Sequence, residues 1–266
     1  MSPLPDLAIC LQTALACADA ARHAVTPHFR SGLTVDDKSD ESPVTRADRE
    51  AETAMRSMIA QSHPDHAILG EEFGLSGIEG EFVWVLDPID GTRAFITGRP
   101  SFATLIALFW RGKPVLGIID QPLTRERWIG VEGETTRFES STLPGIVGTR
   151  SCPELGAAEL SCTSPDMLIP PFDARFAALK AATRRTSWGG DAYGYGLLAL
   201  GQIDVIAECT MKPWDWAALV PVVTGAGGVM TDWQGAPLTL ESDGTVLACG
   251  DKVLLSQAIA SLRPSP

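Results

Sequence analysis

Two carboxylates, Asp87 and Asp90, lie three residues apart directly behind the apolar run 82–86. This run is short, uncharged and rich in β-forming residues, which predicts a buried strand. The proline after Asp87 favours an extended backbone there. Gly91 allows a ligand to approach the backbone, and Thr92 is placed to begin a helix. Carboxylates beside free backbone N–H groups suit a hard cation and a phosphate, so the segment indicates metal-assisted phosphoryl transfer.

Further acids stand near the ends of other predicted elements. Glu71 follows a predicted strand, whereas Asp48 and Asp215 each lie at the start of a predicted helix. Taken singly, each has an ordinary explanation as a solvated turn or as an acid that the helix dipole favours. If they converge with Asp87, their repulsion is severe without cations. Oxygen-only ligands then favour Mg²⁺ or Mn²⁺ over zinc.

Composition narrows the classes of partner. The chain has 266 residues, 45% of them hydrophobic, and a formal net charge of −12. The acidic balance argues against nucleic acid, which needs clustered Lys and Arg. No apolar stretch reaches the ~18 residues of a membrane span, and the N-terminus has no basic lead typical of a secretory signal. The six cysteines form no C-x-x-C pair, so we expect free thiols and a cytoplasmic protein.

Other hydrolase patterns are missing from the sequence. No Cys is followed by Arg six residues later, and no D-x-D, P-loop or G-x-S-x-G pattern occurs. These absences exclude the cysteine-phosphatase and aspartyl-phosphate classes and give no support to a nucleotide-dependent transferase.

Apolar periodicity predicts mixed α and β structure in layers, with helices flanking two sheets. We expect a polar loop at 34–42, and a helix at 215–226 that Pro221 kinks or interrupts. The polar segment 132–144 is the predicted boundary between an N-terminal half, 1–140, and a C-terminal half, 141–266. Further helices are predicted near 5–25, 46–61, 173–183, 191–201 and 251–262, and strands near 67–70, 82–87, 103–110, 114–120, 126–131, 145–148, 159–163, 203–208, 228–232 and 246–249.

Three segments in this order and spacing resemble the inositol monophosphatase superfamily: Gly70-Glu71-Glu72, Asp87-Pro88-Ile89-Asp90-Gly91-Thr92 and Trp214-Asp215 with Ala226-Gly227-Gly228. Within it the chain looks most like the histidinol-phosphate phosphatase branch. That finer resemblance rests on the segments 95–100, 163–167, 189–191, 212–215 and 218–223. It implies a layered αβαβα sandwich of the inositol monophosphatase and fructose-1,6-bisphosphatase type, and usually a homodimer.

The resemblance also implies a set of metal ligands. Glu71, Asp87 and the carbonyl of Ile89 would hold one Mg²⁺. Asp87, Asp90 and Asp215 would hold a second, and a third, weaker ion near Glu71 is common in such enzymes.

The same resemblance assigns the phosphate and the attacking water. The backbone N–H groups of Gly91 and Thr92 would bind the phosphate. Asp48 and Thr92 would orient and activate water with help from a metal-bound Glu71. A hydroxyl is a poor base alone, but bonded to a carboxylate it can accept a proton and pass it on.

Two further acids are candidates for substrate specificity. Glu208 follows a predicted strand at a position that faces the alcohol part of the substrate in the family. Asp191 heads a predicted helix, where it could act as N-cap, contact the substrate, or do both. Two carboxylates beside a leaving group suit a cationic alcohol such as histidinol, and suit a polyol nearly as well. We therefore expect a Mg²⁺-dependent phosphomonoesterase for histidinol phosphate. The alternatives are an inositol-1-phosphatase or broad small-molecule phosphatase, and a non-catalytic metal-binding relative.

Overall fold

The computed structural model describes residues 5–31, 35–37, 43–77 and 80–263. Within them the helices are α1 Ala8–Val25, α2 Arg46–Ser62, α3 Thr92–Ile96, α4 Phe172–Ala182, α5 Asp191–Ala199, α6 Pro213–Trp216, α7 Leu219–Gly225 and α8 Lys252–Leu262. Short 3₁₀ helices lie at Thr26–His28, Leu155–Ala157 and Pro165–Met167.

The strands form two larger sheets and one small ribbon. They are β1 Val35–Asp37, β2 Pro43–Thr45, β3 Ala67–Gly70, β4 Gly74–Ser76, β5 Phe82–Asp90, β6 Ala103–Trp110, β7 Lys113–Gln121, β8 Glu126–Val131, β9 Arg137–Ser140, β10 Glu159–Cys162, β11 Arg185–Trp188, β12 Val205–Glu208, β13 Val229–Thr231 and β14 Val246–Cys249. The seven-stranded sheet has the order β4-β3-β5-β6-β7-β8-β9, the five-stranded sheet the order β11-β10-β12-β14-β13, and β1 pairs with β2.

The helices and sheets pack their apolar faces against one another and form five layers. Helices α1 and α2 cover one face of the seven-stranded sheet, and small buried residues such as Ala18 and Ala21 let them approach closely. Helices α5, α6 and α7 fill the space between the two sheets, and α4 with α8 covers the outer face of the five-stranded sheet. The central strands of each sheet are therefore buried on both faces, as their apolar residues require. The predicted αβαβα sandwich is confirmed.

The middle layer contains two short helices in place of one, because Pro221 prevents a continuous helix. The predicted helix 215–226 is two helices, because the chain leaves helical bonding at Ala217 and Ala218 before α7 begins. A proline ring clashes with the carbonyl four residues earlier, which here is that of Ala217. Pro221 then sits in the first turn of α7, where its missing N–H costs little. Gly130 completes the fit, since a Cβ there would lie 2.3 Å from the Pro221 backbone.

Several secondary-structure predictions were wrong in detail, and strands β2 and β4 were also not predicted. Residues 145–148 are irregular, and the strand lies earlier, at 137–140, inside the predicted boundary segment; there Phe138 packs on Trp128 with ring centroids 5.0 Å apart. Strand β11 was missed because it is a largely exposed edge strand without an apolar pattern. Residues 35–37 of the expected loop 34–42 form β1, and the remainder of that loop lies outside the described residues.

The two sheets occupy successive parts of the chain. Every described strand of the larger sheet lies before residue 141, and every described strand of the smaller sheet follows it. The division at residue 140 remains our proposal for the two halves. Among the helices of the described ranges, none has the length and apolar character that crossing a bilayer demands.

Candidate active site

Glu71 and Asp87 are brought together by strand register. Strands β3 and β5 are parallel, and Gly70 lies opposite Leu86, so the next residue of each strand emerges at the same sheet edge. The N–H of Glu71 donates to the Leu86 carbonyl at 3.2 Å, which continues the pairing by one residue. The Asp87 side chain is buried, whereas Glu71 is partly accessible.

A β-bulge then turns Asp90 toward the same place. Asp87 pairs with Leu105 and Asp90 with Ala103, so the two residues between them face only Thr104. The Thr104 hydroxyl donates to the Pro88 carbonyl at 2.7 Å and holds the bulge in place. Bulges re-aim side chains in this way beside many active sites.

Gly91 joins β5 to α3 in a left-handed conformation. Its φ of 81° is strained for residues with a Cβ, and a Cβ there would lie 2.9 Å from the Asp191 carboxyl carbon. Thr92 begins α3 as predicted, and its hydroxyl donates to the Ile89 carbonyl at 3.1 Å. The predicted phosphate-binding residues therefore lie on the turn that follows Asp90.

Asp215 reaches the group from the middle layer. It lies in the first turn of α6, where its Oδ2 accepts the Lys212 N–H at 2.7 Å. Carboxylate oxygens of Asp87, Asp90 and Asp215 all lie within 4.8 Å of one another. Two neighbouring acids of β5 and one acid from a distant part of the chain thus converge on one point.

This convergence makes ionisation costly. Burial raises the pKa of Asp87 well above its ordinary value, and the charges of Glu71, Asp90 and Asp215 raise it further. Burial also raises the pKa of Asp90, and it raises the pKa of Asp215 to about 7. Such an arrangement is stable at neutral pH when a bound cation supplies positive charge.

A hard cation fits the donor set. Asp87 Oδ1 is buried and accepts no hydrogen bond from any residue that the structure describes, whereas buried carboxylate oxygens almost always have a partner. All three converging ligands are carboxylate oxygens, the atoms that Mg²⁺ and Mn²⁺ prefer. An ion at this point would satisfy Asp87 and offset the repulsion among the acids.

Two acids of α2 lie behind the site. Asp48 is buried in the first turn of α2, close enough for its charge to raise the pKa of Asp87. Glu52, which the sequence analysis missed, accepts the backbone N–H of Glu72 at 2.8 Å and of Phe73 at 3.3 Å. It thereby fixes the turn that carries Glu71. Its spacing of four residues from Asp48 on the same helix was the available signal.

Asp191 approaches the site from α5. The N-cap interpretation was wrong, because Asp191 is the first residue of α5 and Gly190 is the cap. Its φ of 46° is rare for a residue with a side chain and places the carboxylate over Gly91. The next N–H, of Ala192, donates to Asp90 Oδ2 at 2.6 Å. Burial and the charge of Glu208 raise the pKa of Asp191 to about 6, which Arg99 partly offsets.

Glu208 ends β12 inside the protein. Its carboxylate accepts the Thr163 N–H at 2.7 Å and the Tyr195 hydroxyl at 2.9 Å, a support that sequence reasoning did not predict. Burial raises the pKa of Glu208, and these two hydrogen bonds act in the opposite direction. Glu208 and Asp191 line a cavity of about 180 Å³ together with Asp90 and Asp215.

A larger cleft of about 500 Å³ opens from this point to the surface. Glu71, Gly91, Thr92 and Asp191 line its inner part. Its outer walls come from α3 and from segments of the C-terminal half, and they are formed by Arg93, Arg99, Thr163, Ser164, Pro165, Asp166, Trp188 and Gly189. The cleft thus connects the cluster of acidic side chains with solvent between the two halves of the chain.

A second group of side chains that could ligate a metal takes part in core packing. One ligand atom from each of Cys10, His63 and His66 lies within 4.8 Å of the other two. However, the Trp84 indole N–H donates to His66 Nδ1 at 3.1 Å. Nε2 of a neutral His66 then carries the proton, so neither ring nitrogen offers a free lone pair. All six cysteines are free and buried, as expected.

Five layers with an acidic cleft between the two sheets define a class of metal-dependent phosphatases. Residues 6–266 match the model of the inositol monophosphatase family, and the chain belongs to that family. It is an enzyme, a phosphatase that acts on phosphate monoesters. The family resemblance inferred from the sequence is confirmed.

Named relatives cover nearly all of the chain. It is 44% identical over 256 residues to the chloroplastic bifunctional phosphatase IMPL2 of Arabidopsis thaliana, covering 93% of this chain and 73% of that protein. It is 38% identical to the histidinol-phosphatase of Mycobacterium tuberculosis, covering 85% of this chain and 88% of the relative. An inositol monophosphatase structure from Zymomonas mobilis superposes with a TM-score of 0.88 at 46% identity, covering 97% of this chain and 99% of that one.

Proposed function

We propose that this phosphatase hydrolyses L-histidinol phosphate to L-histidinol and phosphate, a step of histidine biosynthesis, with Mg²⁺ as its cofactor. One observation carries the proposal: Asp191 and Glu208 add two carboxylates to a cavity that Asp90 and Asp215 already line. The amine of histidinol is the cationic group that such a cavity favours.

The charge of Glu208 supports this substrate class. Its two hydrogen bonds come from the donors Thr163 N–H and Tyr195 O–H, which stabilise the ionised carboxylate. Burial nevertheless leaves the pKa of Glu208 raised, so a cation in the cavity beside it would stabilise the ionised carboxylate further. A neutral polyol would hydrogen-bond to the same oxygens but would leave the charge uncompensated.

The assignment of metal ligands is part of the proposal. Glu71, Asp87 and the Ile89 carbonyl would hold one Mg²⁺, and Asp87, Asp90 and Asp215 a second, with a third, weaker site near Glu71 and Mn²⁺ as a possible substitute. When bound, these ions lower the pKa of water and neutralise charge on phosphoryl oxygens.

The remaining roles belong to protein groups. The N–H groups of Gly91 and Thr92 would bind the phosphate at the turn before α3. Asp48 and Thr92 would form the pair that orients water and accepts its proton, assisted by Glu71. The Ala192 N–H, by its bond to Asp90, holds that carboxylate in position.

The named relatives support two candidate substrates. The Mycobacterium tuberculosis relative is a histidinol-phosphatase, whereas the Zymomonas mobilis structure is an inositol monophosphatase. Inositol 1-phosphate is therefore the second candidate, and a broad small-molecule specificity follows it. Membership of a phosphatase family leaves little support for a non-catalytic relative. A homodimer and a cytoplasmic location remain predictions.

The substrate assignment predicts a rate preference. With Mg²⁺ present, kcat/KM for histidinol phosphate should exceed that for inositol 1-phosphate by at least about tenfold, near 1.4 kcal/mol of transition-state discrimination. Phosphate release would be compared for both substrates, with fructose 1,6-bisphosphate and 3′-phosphoadenosine 5′-phosphate as further controls. A preference for inositol phosphate would overturn the substrate and leave the phosphatase chemistry intact.

Glu208→Gln should weaken the binding of a cationic substrate more than that of a neutral one. We expect KM for histidinol phosphate to rise about tenfold and KM for inositol 1-phosphate by less than about threefold, because only the charge is removed. Glu126→Gln is the matched control, since Glu126 is equally buried and accepts a Tyr193 hydroxyl at 2.7 Å, but lines neither cavity. Equal effects of Glu208→Gln on both substrates would remove Glu208 from specificity.

A further inference from the structure

Trp188 is a large aromatic residue at the wall of the active cleft. It is the last residue of β11, an edge strand of the five-stranded sheet, and 40% of its surface is exposed. It lines the cleft of about 500 Å³ together with Gly189 and Asp191. Neither metal nor phosphate chemistry requires an indole at this place.

Two side chains of α4 contact the indole. The Phe176 ring lies 5.6 Å from the Trp188 ring, and Lys180 Nζ lies 5.6 Å from its centroid. Both partners belong to one helix, which packs against the outer layer of the protein. Trp188 therefore combines a ring supported by α4 with an exposed part at the wall of the cleft.

This surface lies beside the carboxylate proposed to contact the alcohol. Trp188 is three residues from Asp191, and the two residues between them, Gly189 and Gly190, have no side chains. Arg99 lies against Gly189, where a Cβ would be 3.2 Å from its Nη1. The cleft thus offers a flat aromatic wall next to an acid, a combination that suits an alcohol with both an amine and a planar ring.

We propose that Trp188 determines specificity for phosphomonoesters whose alcohol carries a planar heteroaromatic ring, by stacking its exposed indole surface on that ring. This inference rests on the proposed function, because it assigns the imidazole of histidinol to Trp188 and leaves its amine to Asp191 and Glu208. Trp188 contacts the leaving group and takes no part in bond cleavage.

The test compares two substrates on the full-length enzyme with Mg²⁺ at pH 8, where a free imidazole is neutral. Histidinol phosphate carries the ring, whereas 2-aminopropyl phosphate keeps the amine and lacks it. Trp188→Leu should raise KM about tenfold for histidinol phosphate, equivalent to about 1.4 kcal/mol, and less than about twofold for 2-aminopropyl phosphate. Trp188→Phe, which preserves an aromatic face, should stay within about threefold of wild type on both.

Trp110→Leu is the matched control. Trp110 is also a partly exposed tryptophan with a cation over its ring, the Arg111 guanidinium at 4.9 Å. Trp110 pairs with Phe82, the first residue of β5, whereas Asp90 is the last residue of that strand. Its replacement should therefore change neither KM. A circular dichroism melt of each variant separates loss of fold from loss of binding.

The outcomes separate the two proposals. If the wild-type enzyme shows no preference for histidinol phosphate over inositol 1-phosphate, the proposed function fails and this inference fails with it. If wild type prefers histidinol phosphate but Trp188→Leu raises both KM values equally, or neither, the stacking role alone is overturned. A selective loss with Leu and retention with Phe supports it.

Discussion

Asp215→Asn should lower kcat for phosphate release at least about a thousandfold while the protein stays folded. Asn keeps the shape of the side chain and can still accept the Lys212 N–H, so the start of α6 should persist. The variant loses one negative charge from a group whose carboxylate oxygens lie within 4.8 Å of one another. Asp90→Asn should behave alike, because Asp90 belongs to the same group.

The measurement is Mg²⁺-dependent phosphate release, with Mg²⁺ affinity determined separately by calorimetry. Asp251→Asn is the matched control, because Asp251 also accepts a backbone N–H at a helix start, that of Val253 at 3.0 Å, but lies outside the cleft. Asn caps helices as well as Asp does, so this control should retain its activity. Its stability should fall slightly, because Asp251 Oδ2 also accepts the Cys152 N–H at 3.0 Å and the amide nitrogen of Asn cannot accept it. A near-normal kcat in Asp215→Asn would show that the converging carboxylates are not the metal site.

The second large effect concerns stability of the metal-free protein as pH changes. The pKa of Asp215 is about 7 in the folded protein and close to 3.8 when unfolded. The folded state therefore binds more protons between these values, and the free energy of unfolding falls as pH rises through them. Asp215 alone accounts for about 4 kcal/mol of this loss, and the raised pKa values of Asp87 and Asp90 act in the same direction.

Bound Mg²⁺ should reverse this loss. We expect the metal-free melting temperature to be lower at pH 8 than at pH 5, and saturating Mg²⁺ to raise it more at pH 8, where protons no longer compete for the carboxylates. Asp215→Asn in metal-free buffer should be more stable than wild type at pH 8, since one repelling charge is gone. Thermal melts at pH 5 and pH 8, with Mg²⁺ or with EDTA, measure the pH dependence, the effect of Mg²⁺ and the stability of Asp215→Asn. A Mg²⁺ effect equal at both pH values would contradict the clustering of raised pKa values.

Local sequence determined the part of the site that one continuous segment builds. The apolar run before Asp87, the proline after it and the glycine at 91 act over a few residues, so the strand, turn and helix start could be predicted. Pro221 likewise predicted the interruption of its helix, because the clash of its ring reaches back only four residues. The order of the acidic segments also indicated the family, which the full-length match confirms.

Only the tertiary structure decided which of these acids meet. Asp215 joins Asp87 through the packing of α6 between two sheets, and Asp191 reaches Gly91 through a strained backbone at the start of α5. Edge strands such as β11, and with it the position of Trp188, leave no apolar period in the sequence because they are largely exposed. Periodicity and turn chemistry are local, whereas register, layer packing and burial depend on residues far apart in the chain. The chemistry could therefore be predicted from residue types, and Asp191 and Glu208 could be named as candidates, but the contacts that surround them could not be predicted.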